Sequence, residues 1–435
     1  MYHYLARISK KLLPDWLYEK LIGNWDNDGL KKYFNNTGWM FGGRIITFIT
    51  SFVTVIFVAR YLGPENLGKL SYAQSLIAIF SMFASLGIDH IVYRDLVAHP
   101  EREGEILGTA IAIKLIFGTL TFLITVGVAF SLHTEPILTW LVAIIALSFI
   151  FQPFGVIIHV FNARVQSKYS TIVNVIISLL IPLLKFIVIF TNNGILYFAA
   201  IVAFEALVFS LLSVILYKKI LAGSLQSFSV SWATFKKLTH DSWPIMLIGT
   251  TGYLYARIDQ VMIQHFIDST SVGLYEVAVR FTEPLGILPG VILGSLFPAL
   301  INAKKDSPEE YRKRFRSLVF LCLGISITMA TMIFILAPYL VKWIYGPEFI
   351  ESISILRIYV WSNVGTIATL LIYNYFVIEN RTRLPLIYTT IGAITNIILN
   401  LVLIPILGIT GAAYATLITV TLVVGTFLFT RRWLT

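Results

Sequence analysis

Six basic side chains, Arg44, Lys114, Lys185, Arg257, Arg280 and Arg357, stand within or at the edges of long apolar runs. An ionised group in hydrocarbon is costly, so by default it faces a partner, a cavity or a pathway. The acidic residues in comparable positions are fewer: Glu205, Asp259 and Glu283, with Asp89 at the edge of its run. The imbalance gives a cationic interior, which suits an anionic ligand. Arginine grips phosphate through its planar fork and lysine acts on it as a point charge, so a pyrophosphate would satisfy both.

Each position has a plainer reading beside the chemical one. Arg257 and Asp259, two residues apart, point to nearly opposite helix faces and cannot simply neutralise each other. Arg257 either faces a cavity or makes an interhelical salt bridge. Asp259 and Glu205 are the candidates for coupling to an ion. Glu205 either pairs with Lys185, which follows the kink-forming Pro182, or titrates during the working cycle. Lys114 and Arg44 either face inward or snorkel toward an interface. Glu276 and Arg280, at i and i+4, favour a local ion pair. Arg357 is expected near an interface. His159 is either a proton relay or a packed, satisfied histidine.

The elements that hold these residues are set by composition. The 435 residues are 57% hydrophobic and only 13% charged, against roughly 25% charged in soluble domains. Apolar runs of about 20 residues, enough to cross a hydrocarbon core of roughly 30 Å, recur along the whole chain. They predict twelve helices at about 39–62, 70–93, 107–131, 137–162, 170–191, 195–217, 243–267, 282–303, 317–341, 353–378, 385–407 and 409–430. Gly63-Pro64-Glu65, Thr134-Glu135-Pro136 and Asn192-Asn193-Gly194 supply breaks between them. The fold class expected is therefore an all-α polytopic membrane protein.

Charge sets the orientation. With a cytoplasmic N-terminus, 24 of the 33 Lys and Arg residues fall in inside segments, and only Arg60, Lys69 and Lys342 fall outside. This positive-inside pattern requires an even number of spans and places both termini in the cytoplasm. The net charge of +10 is spread between apolar spans, which argues against a nucleic-acid partner. Cys322 is the sole cysteine, so no disulfide framework or thiol metal cluster is expected.

Four segments follow: an N-terminal cytoplasmic stretch 1–38, a first six-helix bundle 39–217, a hydrophilic linker 218–242 and a second bundle 243–435. Residues 4–21 are amphipathic and read either as a helix lying on the membrane face or as a loosely ordered terminus; no cleavable signal peptide is expected. An offset of 205 aligns Leu67-Gly68 with Val272-Gly273 and Ala73 with Ala278. Two parallel bundles related by an axis along the membrane normal would produce that offset, and so would coincidence among apolar segments. No P-loop, HExxH, GxSxG or metal-spaced Cys/His cluster occurs, so neither ATP hydrolysis nor another enzyme activity is expected, and no cofactor.

The stretch Ala59–Gly68, with Ser71-Tyr72-Ala73, Leu86-Gly87-Ile88 and Tyr93-Arg94-Asp95, resembles the opening of the polysaccharide (O-antigen, Wzx-type) flippases. These belong to the multidrug/oligosaccharidyl-lipid/polysaccharide (MOP) exporter superfamily. The resemblance continues through Arg257-Ile258-Asp259-Gln260, Val272–Ala278, Leu296-Phe297-Pro298, Tyr345-Gly346-Pro347 and Gly408–Ala413. It implies two pseudo-symmetric six-helix bundles of the MATE-like kind, working by alternating access. It implies an oligosaccharide on a polyprenyl pyrophosphate as substrate, basic residues that hold it, and a proton or sodium gradient as the energy source. Membrane lipid and polysaccharide polymerase or assembly proteins are the partners to expect, in the inner membrane. A drug/cation antiporter of the same superfamily would call for an acidic interior. A membrane-embedded transferase or polymerase would call for a large external loop. A purely structural membrane partner would not need buried charge.

Overall fold

The computed structural model describes residues 27–132, 135–221, 225–379, 381 and 383–431. The amphipathic segment expected at 4–21 lies outside them. Among the described residues every regular element is helical and none is a strand. Ten segments among the described residues are long and apolar enough to cross a membrane. One of them, Gly38–Ala98, runs for 61 residues, about 90 Å at 1.5 Å per residue and enough for two crossings.

That run begins with α1, Asn27–Ser85, which bends at Gly63 (φ 67°, ψ 175°) and resumes at Pro64. A left-handed backbone suits glycine, and proline is tolerated in a first helical turn because its missing N–H would be unpaired there anyway. The expected turn at 63–65 is thus a kink inside one helical run. The next break comes at Leu86 and Gly87, both with positive φ, and α2 follows as Ile88–Ala98. The helices α3 (Glu103–Leu132), α4 (Pro136–Ala146), α5 (Ser148–Phe151), α6 (Ile158–Ala163), α7 (Ser167–Phe190) and α8 (Ile195–Ile220) come next. The expected fourth span is not one straight helix. It is interrupted by a 3-10 turn at Gln152–Ile157, where Pro153 cannot donate and Gly155 lies against the Phe209 ring.

After these come α9 (Trp232–Phe266), α10 (Ser269–Thr282), α11 (Ile287–Asp306), α12 (Pro308–Leu340), α13 (Ser352–Ile378), α14 (Arg383–Leu407) and α15 (Ile409–Arg431). The second half of the hydrophilic stretch 218–242 is helical and continuous with α9. The expected eighth span, 282–303, is preceded by α10 and corresponds to a 3-10 turn at Glu283–Gly286, where Pro284 stands, followed by α11, so the apolar run starts at Ser269 rather than at 282. Asp268 caps α10 by accepting from the Ser271 N–H at 2.7 Å, and Ser307 with Pro308 starts α12.

The chain divides into two compact units. Of the described residues, the first comprises those within 27–55, 83–127 and 143–246; the second comprises those within 56–82, 128–142 and 247–431. In the first, Ile88, Val92 and Leu96 of α2 pack with Leu107 and Ile113 of α3, Val160 of α6, Tyr217 of α8 and Leu238 of α9. The start of α9 is also tied to α2 by ion pairs, Lys237 to Asp95 at 2.8 Å and Arg94 to Asp241 at 2.7 Å. The hydrogen bond from Arg94 holds the Asp241 carboxyl below its ordinary range. Its contribution is therefore present at neutral pH and is lost as the pH falls through that lowered value. In the second unit Leu293, Leu318, Cys322, Ile367 and Leu371 form one core, and Phe376 and Phe427 anchor another. Large apolar side chains such as Phe190 (84% exposed) and Ile406 (69%) point outward, which costs nothing where the surroundings are lipid. The helices satisfy their own backbone, as hydrocarbon requires.

One close approach inside the second unit depends on glycine. A Cβ on Gly68 would strike the Ser269 carbonyl, and one on Gly273 would strike the Pro64 carbonyl. The offset of 205 that relates Gly68 to Gly273 also relates Pro64 to Ser269. The contact is reciprocal, as an approximate two-fold relation between these two segments demands, and such close crossings are the use of small residues in membrane helices. Gly68→Val and Gly273→Val should each lower the Tm of the purified protein by several degrees, a cost of about 1–3 kcal/mol. Gly252→Ala, whose Cβ meets nothing within 4 Å, should leave it unchanged or raise it. A Gly68→Val protein that melts with the wild type would contradict the contact.

Candidate functional site

In the second unit Asp259, on α9, is 3% exposed. The Tyr275 hydroxyl of α10 and the Thr416 hydroxyl of α15 each donate to its Oδ2 at 2.6 Å. Asn400 of α14 donates to Oδ1 at 2.7 Å and to Asn396 Oδ1 at 3.1 Å. Every hydrogen bond that Asp259 makes among the described residues comes from a neutral group. Two further polar atoms of the cluster, Asn396 Nδ2 and Asn400 Oδ1, are buried without a partner. A carboxylate surrounded by oxygen and amide groups, with acceptor capacity left over, can take up a proton or a small hard cation. Tyr275, Asn396, Asn400 and Thr416 carry no formal charge at neutral pH, and weighing formal charges along the sequence passes them over. The signal available was Asn396 and Asn400, four apart on one face of an apolar span.

One residue beyond Asp259, Gln260 begins a second network. It accepts from the Ser75 hydroxyl and donates to Glu276. Arg280 Nε lies 2.6 Å from Glu276 Oε1, forming the local pair expected from the spacing. Arg257 lies 3.1 Å from Glu283 and 3.8 Å from Glu276, and Arg280 also reaches Glu283 at 3.4 Å. Two cations and two anions thus alternate, and of the two readings open for Arg257 the structure displays the salt bridge.

The remaining basic positions are dispersed. Arg357 donates to the Phe334 carbonyl at 3.3 Å and lies over its ring at 5.3 Å. Lys185 on α7 and Glu205 on α8, both in the first unit, feel each other's charge. Arg44 is exposed.

Lys114 does not snorkel. Its side chain is 8% exposed, and its ammonium lies 2.6 Å from Asp89 Oδ1. His159 Nε2 lies 3.2 Å from the same oxygen. These three residues, from α3, α2 and α6, line a cavity of about 730 Å³ inside the first unit, with Tyr93, Gln152 and Asn162 among its other polar walls. Among the described basic site candidates, Lys114 is the one that lines this cavity.

Residues 33–304 match the family model described as polysaccharide biosynthesis protein. The chain belongs to that family. A second model, MatE, matches residues 244–402. A relative in Haloferax volcanii, named "Probable low-salt glycan biosynthesis flippase Agl15", is 24% identical over 371 residues, covering 84% of this chain and 76% of the relative. Among solved structures, the lipid II flippase MurJ in an inward-closed conformation superposes with a TM-score of 0.74 at 16% identity, over 92% of this chain and 87% of that one. An inward-facing multidrug resistance MATE family transporter of the MOP superfamily superposes with a TM-score of 0.69 at 18% identity, over 89% and 94%. The fold of this polysaccharide biosynthesis protein is that of MurJ and MATE transporters, and it is a multi-pass membrane protein.

The Asp259 cluster gives a direct test. Asn400→Leu or Thr416→Val removes one donor from a buried carboxylate and should cost about 1–3 kcal/mol of stability. In an Asp259→Asn background, where no charge needs that donor, the same substitution should cost at least about 1 kcal/mol less. Thermal unfolding of the four proteins of such a cycle checks this, and additive losses would contradict it.

Proposed function

We propose that this chain carries a polyprenyl-pyrophosphate-linked oligosaccharide, a repeat unit of a surface polysaccharide, from the cytoplasmic to the outer leaflet of the cell membrane by alternating access. Family membership and the transporter fold support a carrier over an enzyme. The observation that carries the anionic substrate is Lys114, a lysine buried in an apolar helix yet lining a cavity large enough for a headgroup. Its position favours phosphate over a cationic drug, the substrate class of the rival antiporter reading. The long polyprenyl tail remains in lipid while the head crosses.

The Asp259 cluster is the coupling site in this reading. The lack of a cation among its hydrogen-bond partners and the unpartnered acceptor Asn400 Oδ1 suit a bound proton or Na⁺ that is taken up and released each cycle. Glu205 beside Lys185 is the second candidate for that role. The lysine and arginine distribution supports cytoplasmic termini. Membrane lipid and polysaccharide polymerase or assembly proteins are the partners.

Deleting the gene should cause the lipid-linked oligosaccharide to accumulate on the cytoplasmic leaflet, as read by extraction and mass spectrometry, with surface polysaccharide lost. Asp259→Asn at normal protein levels should reduce surface polysaccharide about tenfold or more. An unchanged lipid pool in the deletion strain, or gradient-dependent export of cationic drugs in its place, would overturn the assignment.

A further inference from the structure

We infer that the cavity of the first unit is a receiving site for a phosphate-bearing headgroup, and that Asp89 is its resting counter-anion, displaced from Lys114 and His159 when phosphate enters. The inference rests on the transport reading above and gives that reading a specific point of contact.

Three observations converge. First, two nitrogen groups on different helices meet at one oxygen: Lys114 Nζ at 2.6 Å and His159 Nε2 at 3.2 Å from Asp89 Oδ1. A single phosphate oxygen placed there would receive the same two contacts, since lysine donates as a point charge and the imidazole Nε2–H can donate in either charge state. Second, the pair is asymmetric. The Lys114 side chain is 8% exposed, whereas the Asp89 side chain is 35% exposed, and both line the cavity. The anion is the partner with somewhere to go. Third, the contact borders a cavity of about 730 Å³, where one water takes about 30 Å³ of liquid volume. Tyr93, Gln152 and Asn162 line the same space and can bond the remaining phosphate oxygens.

The exchange also resolves the difficulty of a buried lysine. Removing one partner of a buried ion pair strands the other charge in a low dielectric. If phosphate replaces Asp89 and Asp89 later replaces phosphate, Lys114 is compensated at every stage. The returning carboxylate competes the headgroup off, so binding does not become a trap. A bridge that merely joined α2 to α3 would need neither the cavity nor His159 on the same oxygen.

The test is binding of inorganic pyrophosphate to the purified full-length protein, followed by calorimetry. Asp89→Asn removes the internal competitor and should bind about tenfold more tightly than wild type. Lys114→Gln should bind about tenfold more weakly, and Asp89→Asn/Lys114→Gln, which leaves no stranded charge, should fold and remain weak. Equal affinities across wild type, Asp89→Asn and Lys114→Gln overturn the inference. Should Asp89→Asn fail to fold, Tyr93→Cys in a Cys322→Ala background decides. Pyrophosphate should slow its alkylation about threefold or more, and an unchanged rate overturns the inference. A second arm places undecaprenyl pyrophosphate in nanodiscs. Protection at far lower concentration than inorganic pyrophosphate identifies a lipid headgroup as the ligand. Equal potency overturns the headgroup and leaves a soluble phosphate compound. Binding is independent of turnover. Pyrophosphate binding with no accumulation of lipid-linked oligosaccharide in the deletion strain would remove the transport reading alone. Accumulation without pyrophosphate binding would remove this one alone.

Discussion

A charged side chain inside hydrocarbon must be compensated, and nearly every polar feature of this protein can be traced to how that is done. The cost of leaving an ion bare in a membrane helix is several kcal/mol. Three solutions coexist. Arg257 and Arg280 share two glutamates in an alternating cluster. Lys114 takes a partly exposed aspartate that borders a cavity. Asp259 is held by hydroxyl and amide donors with no cation among its hydrogen-bond partners.

These solutions differ in what they permit. In an alternating ion-pair cluster with no excess charge each member is already compensated, and removing one leaves its neighbours short of a partner. A carboxylate held only by neutral donors has no cation to fix its charge, so it can accept a proton or an ion as its surroundings change. A lysine whose partner faces open space can trade one anion for another. The division of labour proposed here, coupling in the second unit and headgroup contact in the first, follows from those three chemistries and from where they stand.

Much of the scaffold is legible in the order of the amino acids. The apolar run at 107–131 is α3, Glu103–Leu132, and the run at 353–378 is α13, Ser352–Ile378, because hydrocarbon thickness leaves little freedom in helix length. The pair Glu276–Arg280 follows from helix spacing alone. What the chain conceals depends on tertiary packing. Asp89 and Lys114 lie 25 residues apart, with no periodic rule to join them. The interruptions at Pro153 and Pro284 are hidden by continuous hydropathy on either side, although each proline marks its place. Asn396, Asn400 and Thr416 carry no formal charge, so a search for ions passes over the groups that surround one. The exchange of contacts between Gly68 and Gly273 is hinted at by the repeat offset, but the close approach of the two backbones is a tertiary contact that the offset alone does not give.

Reconstitution tests the central claim most directly. Purified protein would be placed in proteoliposomes carrying a fluorescent polyprenyl-pyrophosphate disaccharide in one leaflet, and its arrival in the other would be followed by a membrane-impermeant quencher. Under an imposed proton or sodium gradient the label should cross far faster than in protein-free liposomes, and collapsing the gradient should slow it. Crossing at the protein-free rate under both gradients, with the protein folded and correctly inserted, would contradict the account.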